Sequence, residues 1–196
     1  MKLKIGILIL SLLLASSALP QGSLSEEHNR KGAEFLRKGK VDEAIVEFKK
    51  AIKINPFLKE AHNNLGVAYL MKEEYEKAVR AIKLALELDP NYGMAHYNLA
   101  IAYHKLKDDE RAITELYETI KVNPDNFNAY YNLACYYSLM GKIDEAFENL
   151  KKALDLGYDN FKLLTTDPDL NNLRKDPRYR KLLRKKGIKT KQKKED

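Results

Sequence analysis

The sequence predicts an all-α fold, an α-solenoid of about four helix-turn-helix repeats closed by C-terminal capping helices. Three observations predict it. First, Pro56, Pro90 and Pro124 stand 34 residues apart, twice over. Second, blocks starting at Ser25, Lys59, Gly93 and Phe127 align in phase: the eleventh residue is Phe35, Tyr69, Tyr103 or Tyr137, and the twentieth is always alanine (Ala44, Ala78, Ala112, Ala146). Third, a bulky apolar residue follows four positions later in every block, as Phe48, Ile82, Leu116 and Leu150. A fixed period of about 20–50 residues marks units that bury their apolar faces only against their neighbours.

The elements follow in order. Within each block the apolar residues recur at helical spacing, as in Leu65 and Tyr69, then Ala78, Ile82 and Ala85. Gly32, Gly66, Ala100 and Ala134 are small enough to let the first helix of a pair approach the second, and the recurrent alanines serve the same end from the second helix. Residues before proline are pushed out of helical dihedrals, so Asn55, Asp89 and Asn123 should end the second helices. The strings Gly39–Ala44 and Gly141–Ala146 are nearly the same, with Gly placed to end one helix and Asp42 or Asp144 placed to cap the next. This gives about eight helices from Leu24 to Leu156 and no strands. The expected boundaries are a segment at 1–18, a linker at 19–24, and repeats at 25–58, 59–92, 93–126 and 127–160. Capping helices follow at 161–184 and a basic tail without structure at 185–196. In the cap, Asp167-Pro168 and Asp176-Pro177 each read as an N-cap followed by proline at the first helical position. Leu163, Leu164, Leu170, Leu173, Tyr179, Leu182 and Leu183 supply its apolar faces.

With Leu65-Gly66, Leu99-Ala100 and Leu133-Ala134 at the seventh and eighth positions, the aromatic, alanine, apolar and proline positions make the chain resemble the tetratricopeptide repeat family from Ser25 to about Asn160. Its departures are His28, His62, His96 and Tyr130 where the pattern has Trp, Lys31 for Leu in the first block, and Tyr158 for Pro in the fourth. The resemblance implies a right-handed superhelix whose first helices line a concave, peptide-binding groove. Carried over by block position, it places Asn63, Val67, Leu70 and Met71, then Met94, Tyr97, Ile101 and His104, then Tyr131 and Cys135 on that groove. Its middle is apolar and aromatic, a composition favoured at interfaces. The lysines and ninth-position asparagine with which some relatives clamp a C-terminal carboxylate are missing; Ala33, Val67, Ile101 and Cys135 stand at the ninth position.

Lys2 and Lys4 precede an apolar run from Ile5 to Ala15 and the small residues Ser16-Ser17-Ala18. That is the pattern of a signal peptide cleaved after Ala18, with a retained anchor as the alternative, although the run is shorter than the about 20 residues of a membrane span. Export is therefore expected, to a bacterial periplasm or cell envelope. Charge is uneven: of a formal net +7, residues 174–196 alone carry twelve Lys and Arg against three acids. Lys185, Lys186, Lys189, Lys191, Lys193 and Lys194 form the electrostatic part of the tail. It is either solubilising or attracted to an anionic surface or acidic partner. No aromatic residues interleave it, and nucleic acid is not expected as a partner.

No phosphate-cradling glycine loop, Cys-x-x-Cys, His-Glu-x-x-His or Gly-x-Ser-x-Gly occurs. Cys135 is the sole cysteine, so no internal disulfide forms. His28, His62 and His96 repeat with the array, at a separation of at least about 8–10 Å between helix axes, and are read as packing residues and not as zinc ligands. The expectation is a non-catalytic scaffold or adaptor with no cofactor and no metal, binding a protein or peptide partner. The alternative is a structural protein held to an anionic membrane or envelope by its tail.

Overall fold

The computed structural model describes residues 21–188, and among them every regular element is helical. Eight helices form four successive hairpins: α1 Gln21–Arg37 with α2 Val41–Ile54, α3 Lys59–Met71 with α4 Tyr75–Leu88, α5 Gly93–Lys105 with α6 Asp109–Val122, and α7 Phe127–Leu139 with α8 Ile143–Asp155. A short helix α9 (Phe161–Thr166), two 3-10 turns (Pro168–Leu170 and Leu173–Lys175) and α10 (Pro177–Lys185) follow. The fold class is thus the expected one, all-α with consecutive helical hairpins, the unit of an α-solenoid. The chain divides into two compact units, one through Leu88 and one from Asp89. The first holds α1–α4 and the second α5–α10.

Each hairpin is closed by the residues that recur in sequence. Ala44, Ala78, Ala112 and Ala146 have no exposed surface, and neither do Phe48, Ile82, Leu116 and Leu150. In the first unit Ala44, Phe48, Leu65 and Ala68 form a cluster against which Phe35, Leu36 and Tyr69 pack. The small eighth position is forced by contact. A Cβ on Gly32 would lie 2.6 Å from Cε1 of Phe48, and one on Gly66 would lie 2.3 Å from Cγ1 of Ile82. The third and fourth hairpins carry Ala100 and Ala134 there, with Leu116 and Leu150 at the twenty-fourth position, and both alanines are fully buried.

The first helix of every hairpin ends in the same way. Gly39, Glu73, Lys107 and Gly141, again 34 residues apart, all take positive φ, between 60° and 73°. The next residue's N–H closes back on the aromatic of the eleventh position, Lys40 on Phe35 and Lys142 on Tyr137, each at 2.9 Å. The N–H of the positive-φ residue reaches the carbonyl three before it, which completes a Schellman motif. Asp42 and Asp144 depart from their expected role: they sit in the first turns of α2 and α8, where N-caps are Lys40 and Lys142 without side-chain bonds. There they favour the positive end of the helix dipole. Asn55 and Asn123 end α2 and α6 in extended dihedrals, as proline demands of its predecessor.

The cap differs from expectation at its ends. Asp167 and Asp176 do cap, accepting from the N–H groups of Asp169 and Arg178, with proline next in both cases. However, the ordered chain runs past residue 184: α10 ends at Lys185, Gly187 takes φ 73°, and Ile188 is buried while its N–H bonds Leu183 at 2.9 Å. Ile188 has an apolar face to bury, which the charge-rich composition around it obscures. At the other end α1 begins at Gln21, inside the stretch expected as a linker. The expected signal peptide at 1–18 and tail residues Lys189, Lys191, Lys193 and Lys194 lie outside the described residues. Among the described residues no helix is long and apolar enough to cross a membrane.

Candidate partner-binding face

The register assigned to the groove falls on α3, α5 and α7. In the first unit Val67 and Leu70 are half-buried and Met71 is 51% exposed, so an apolar stripe on α3 remains open. Asn63 is the exception, buried at 2%, because α1 and α3 pack against one another along this side. Beside it Asn64 Nδ2 donates to Asn29 Oδ1 at 2.9 Å, which ties the two first helices together.

In the second unit α5 presents Met94, 61% exposed, with Tyr97 and Ile101 half-buried. Met94 and Tyr97 border a cleft of about 450 Å³, whose other walls include Tyr92, Asn98, Val122 and Asn126. The cleft offers methyl and ring surface with amides at its edge, chemistry suited to an apolar side chain on a peptide backbone. Tyr97 Oη accepts from Asn132 Nδ2 at 3.3 Å, and burial holds its phenol above the ordinary value in spite of that bond. Val122 and Asn126 belong to the end of α6 and the turn after it, outside the first-helix register, so block position alone did not indicate them.

Tyr131 and Cys135 do not line an open groove. They are exposed by only 5% and 2%, because the chain downstream of the repeats covers α7. The Tyr131 ring stacks on Tyr158 at 4.3 Å, and its hydroxyl donates to Asp167 Oδ2 at 2.7 Å. Burial raises the Tyr131 phenol and pushes Tyr158 up to about 12. The Cys135 thiol lies 3.9 Å from the same Asp167 oxygen, and burial raises it well above the usual thiol range, so the sulfur stays protonated and a poor nucleophile. His104 is likewise engaged: its ring stacks on Tyr136 at 4.3 Å, Nδ1 pairs with Asp109 at 2.7 Å, and Nε2 lies 3.5 Å from Asp169.

The recurrent histidines act as polar pegs within hairpins. His62 Nε2 bonds the Pro56 carbonyl at 2.8 Å and His96 Nε2 the Pro90 carbonyl at 2.9 Å. His28 and His96 also pair through Nδ1 with Glu47 and Glu115, both at 2.6 Å. The Glu115 bond holds His96 above its ordinary value although burial opposes the charge. Among the described residues no group of three or more His, Cys, Asp or Glu is placed to hold a metal ion. At the C-terminal end Lys186 does not extend freely as a tail cation: it pairs with Asp155 of α8 at 2.7 Å. Lys185 is exposed.

These features define a class: a helical-repeat protein that presents the faces of its first helices. Profiles described as TPR repeat match residues 32–73, and profiles described as tetratricopeptide repeat match 60–92, 81–114 and 116–148. The chain is similar to MamA in its crystal structure, at 30% identity over 67% of this chain and 77% of that one, with a TM-score of 0.64. It is also similar to YrrB, a TPR protein with an unusual peptide-binding site, at 17% identity over 81% and 82% of the two chains and a TM-score of 0.63. The first TPR of Spaghetti (RPAP3), bound to the HSP90 peptide SRMEEVD, aligns at 24% identity over 61% of this chain and 94% of that one, with a TM-score of 0.59. No curated protein matches the sequence. This chain belongs to the tetratricopeptide repeat family.

Proposed function

We propose that the protein is a non-catalytic interaction scaffold that binds an extended or helical peptide of a partner protein through apolar anchors. The observation that carries this reading is the cleft beside Met94 and Tyr97, an exposed methionine and a half-buried tyrosine with an amide rim. In the first unit the open residues are Val67, Leu70 and Met71. Two similar structures, the Spaghetti domain and YrrB, are described as peptide-binding, which supports the class of ligand. The buried, protonated Cys135 thiol and the absence of catalytic motifs support a protein without enzymatic chemistry. The signal-like segment supports a place in a bacterial periplasm or envelope, and N-terminal sequencing of the native protein tests it: a chain starting at Leu19 confirms cleavage, and one retaining Lys2 refutes it.

The docking reading is tested by a photocrosslinker at Met94 in the native cell. One dominant protein adduct that disappears when Tyr97→Ala is added, with helicity unchanged, supports the cleft. An adduct pattern indifferent to Tyr97→Ala refutes it.

A second reading has its own observation. Arg180, Lys181, Arg184 and Lys185 on α10 are all exposed, a cationic edge suited to an anionic surface. Binding to vesicles containing phosphatidylglycerol that weakens with salt and with Arg180→Gln/Arg184→Gln supports it; binding insensitive to both refutes it.

A further inference from the structure

The segment Asp167–Leu173 is attached to the repeats by two buried leucines and by polar groups of the inner register. Tyr131, Cys135 and Ser138 are the fifth, ninth and twelfth residues of the fourth block, and His104 is the twelfth of the third. Each meets this segment. Tyr131 Oη donates to Asp167, His104 Nε2 faces Asp169, the Leu173 N–H donates to Ser138 Oγ at 3.2 Å, and Asn172 Nδ2 donates to the Ser138 carbonyl at 3.0 Å. Leu170 and Leu173 are fully buried at the two 3-10 turns. Arg174 braces the segment from its far side through the carbonyls of Leu164 and Asp167. A cap needs only to cover apolar surface at the end of an array. This one also satisfies Tyr131, Ser138 and His104, polar groups that the register would offer a partner.

We propose that Asp167–Leu173 is a strap bound in cis on the fourth repeat's inner face, that it lifts as a local unit to open Tyr131, Cys135 and Ser138, and that the His104–Asp169 pair is one of its latches. Its consequence for partner access rests on the docking reading above; the lifting itself is a property of this chain alone. The chemistry held on the face is acidic, a carboxylate against a phenol and another against an imidazole, so a competitor for the opened face is an acidic segment.

The groups facing His104 set the direction of its pH response. They are Asp109 at the start of α6, Asp169 on the strap and the Tyr136 ring of α7, while Lys105 and Lys107 act on Asp169. Burial opposes charge on His104, yet the two carboxylates together hold its affinity for a proton above the ordinary value. Asp169 is held below its own by His104. A histidine raised in the folded state contributes fully below its unfolded value and stops contributing as pH rises through its folded one. The latch therefore holds at mildly acidic pH and weakens toward alkaline pH. It also weakens at strongly acidic pH, where Asp169 takes up a proton.

Cys135 beneath Asp167 is the chain's sole thiol and reports the opening in the full-length protein. Its rate of labelling by an uncharged maleimide is measured against denaturant and pH, normalised to the unfolded chain at the same pH. Local lifting gives labelling nearly independent of denaturant well below the unfolding midpoint. Asp169→Asn should accelerate it about threefold, the loss of a partly exposed ion pair, without changing far-UV helicity. The rise in normalised rate from about pH 6 to pH 8.5, through the histidine range, should flatten in that variant. If Asp169→Asn does not fold, hydrogen exchange of the Leu173 amide in the unaltered chain replaces it, with faster opening expected at the higher pH. Labelling or exchange that follows global unfolding with its full denaturant slope at every pH overturns the proposal.

Discussion

The two units of the chain use the same hairpin and finish it differently. On α3 the ninth, twelfth and thirteenth positions of the inner register are open, with Met71 half-exposed and Val67 and Leu70 partly so. On α7 the ninth and twelfth residues, Cys135 and Ser138, are buried beneath a strap that belongs to no repeat, while the thirteenth, Leu139, stays exposed. The slot between paired helices also differs: Gly32 and Gly66 face Phe48 and Ile82 in the first unit, whereas the second carries Ala100 and Ala134 at the eighth position and Leu116 and Leu150 at the twenty-fourth, all fully buried. A repeat position specifies where a side chain points but not what covers it. The eighth and twenty-fourth positions are matched in shape: glycine stands where the twenty-fourth residue is Phe48 or the β-branched Ile82, and alanine where it is a leucine, whose volume equals that of isoleucine but whose branch lies one carbon further out.

The largest expected effect breaks the second unit's closure. Leu173→Ala removes a fully buried side chain of the strap and should cost about 3 kcal/mol, read from chemical denaturation. Met71→Ala on the open face of the first unit should cost within about 0.5 kcal/mol. Equal losses would mean that α7 does not depend on its strap. Next, Gly66→Ala forces a Cβ onto Ile82 and should destabilise by about 1–2 kcal/mol after the gain in helix propensity. Adding Ile82→Leu, which installs the second unit's combination and moves the branch away from the eighth position, should recover most of it; no recovery would break the shape-matching account.

A smaller effect of opposite sign is expected at the hairpin turns. Glu73 and Lys107 hold the positive φ that Gly39 and Gly141 hold in the outer repeats. Glu73→Gly and Lys107→Gly should each stabilise by about 0.5–1 kcal/mol, seen as a higher denaturation midpoint with an unchanged slope. The smallest effect separates the histidine pegs. His96 pairs with Glu115, whereas the position equivalent to Glu115 in the second repeat is Ala81. Because His96 is raised by Glu115, its contribution is present below the ordinary histidine range and is lost as pH rises through the raised value. The stability difference between the unaltered chain and Glu115→Gln should shrink from about pH 5.5 to pH 8.5, and a constant difference would remove the peg.

Much of the fold was legible because its causes are local or periodic. The eighth-position glycines, the recurrent alanines and the turns at Gly39 and Gly141 could be read from spacing, since each acts within one hairpin. Glu73 and Lys107 were not readable as left-handed residues on their own and become so only in phase with those glycines. The candidate face was legible in part. Met94 is exposed and Tyr97 half-buried at the cleft, but Asn63 is buried between first helices, and the cleft walls Val122 and Asn126 come from the end of a second helix and its turn. Ile188 and Lys186 were hidden by a basic composition that reads as tail.

By itself the sequence determined the all-α class, the four hairpins and the residue pairs that close them, because a 34-residue period repeats the same local sterics each time. Only the tertiary structure decided which stretch of the inner register stays open. Tyr131 and Cys135 meet Asp167 across 36 and 32 residues, and His104 meets Asp169 across 65. Those contacts depend on where a non-repeating segment lands, and no periodicity encodes that.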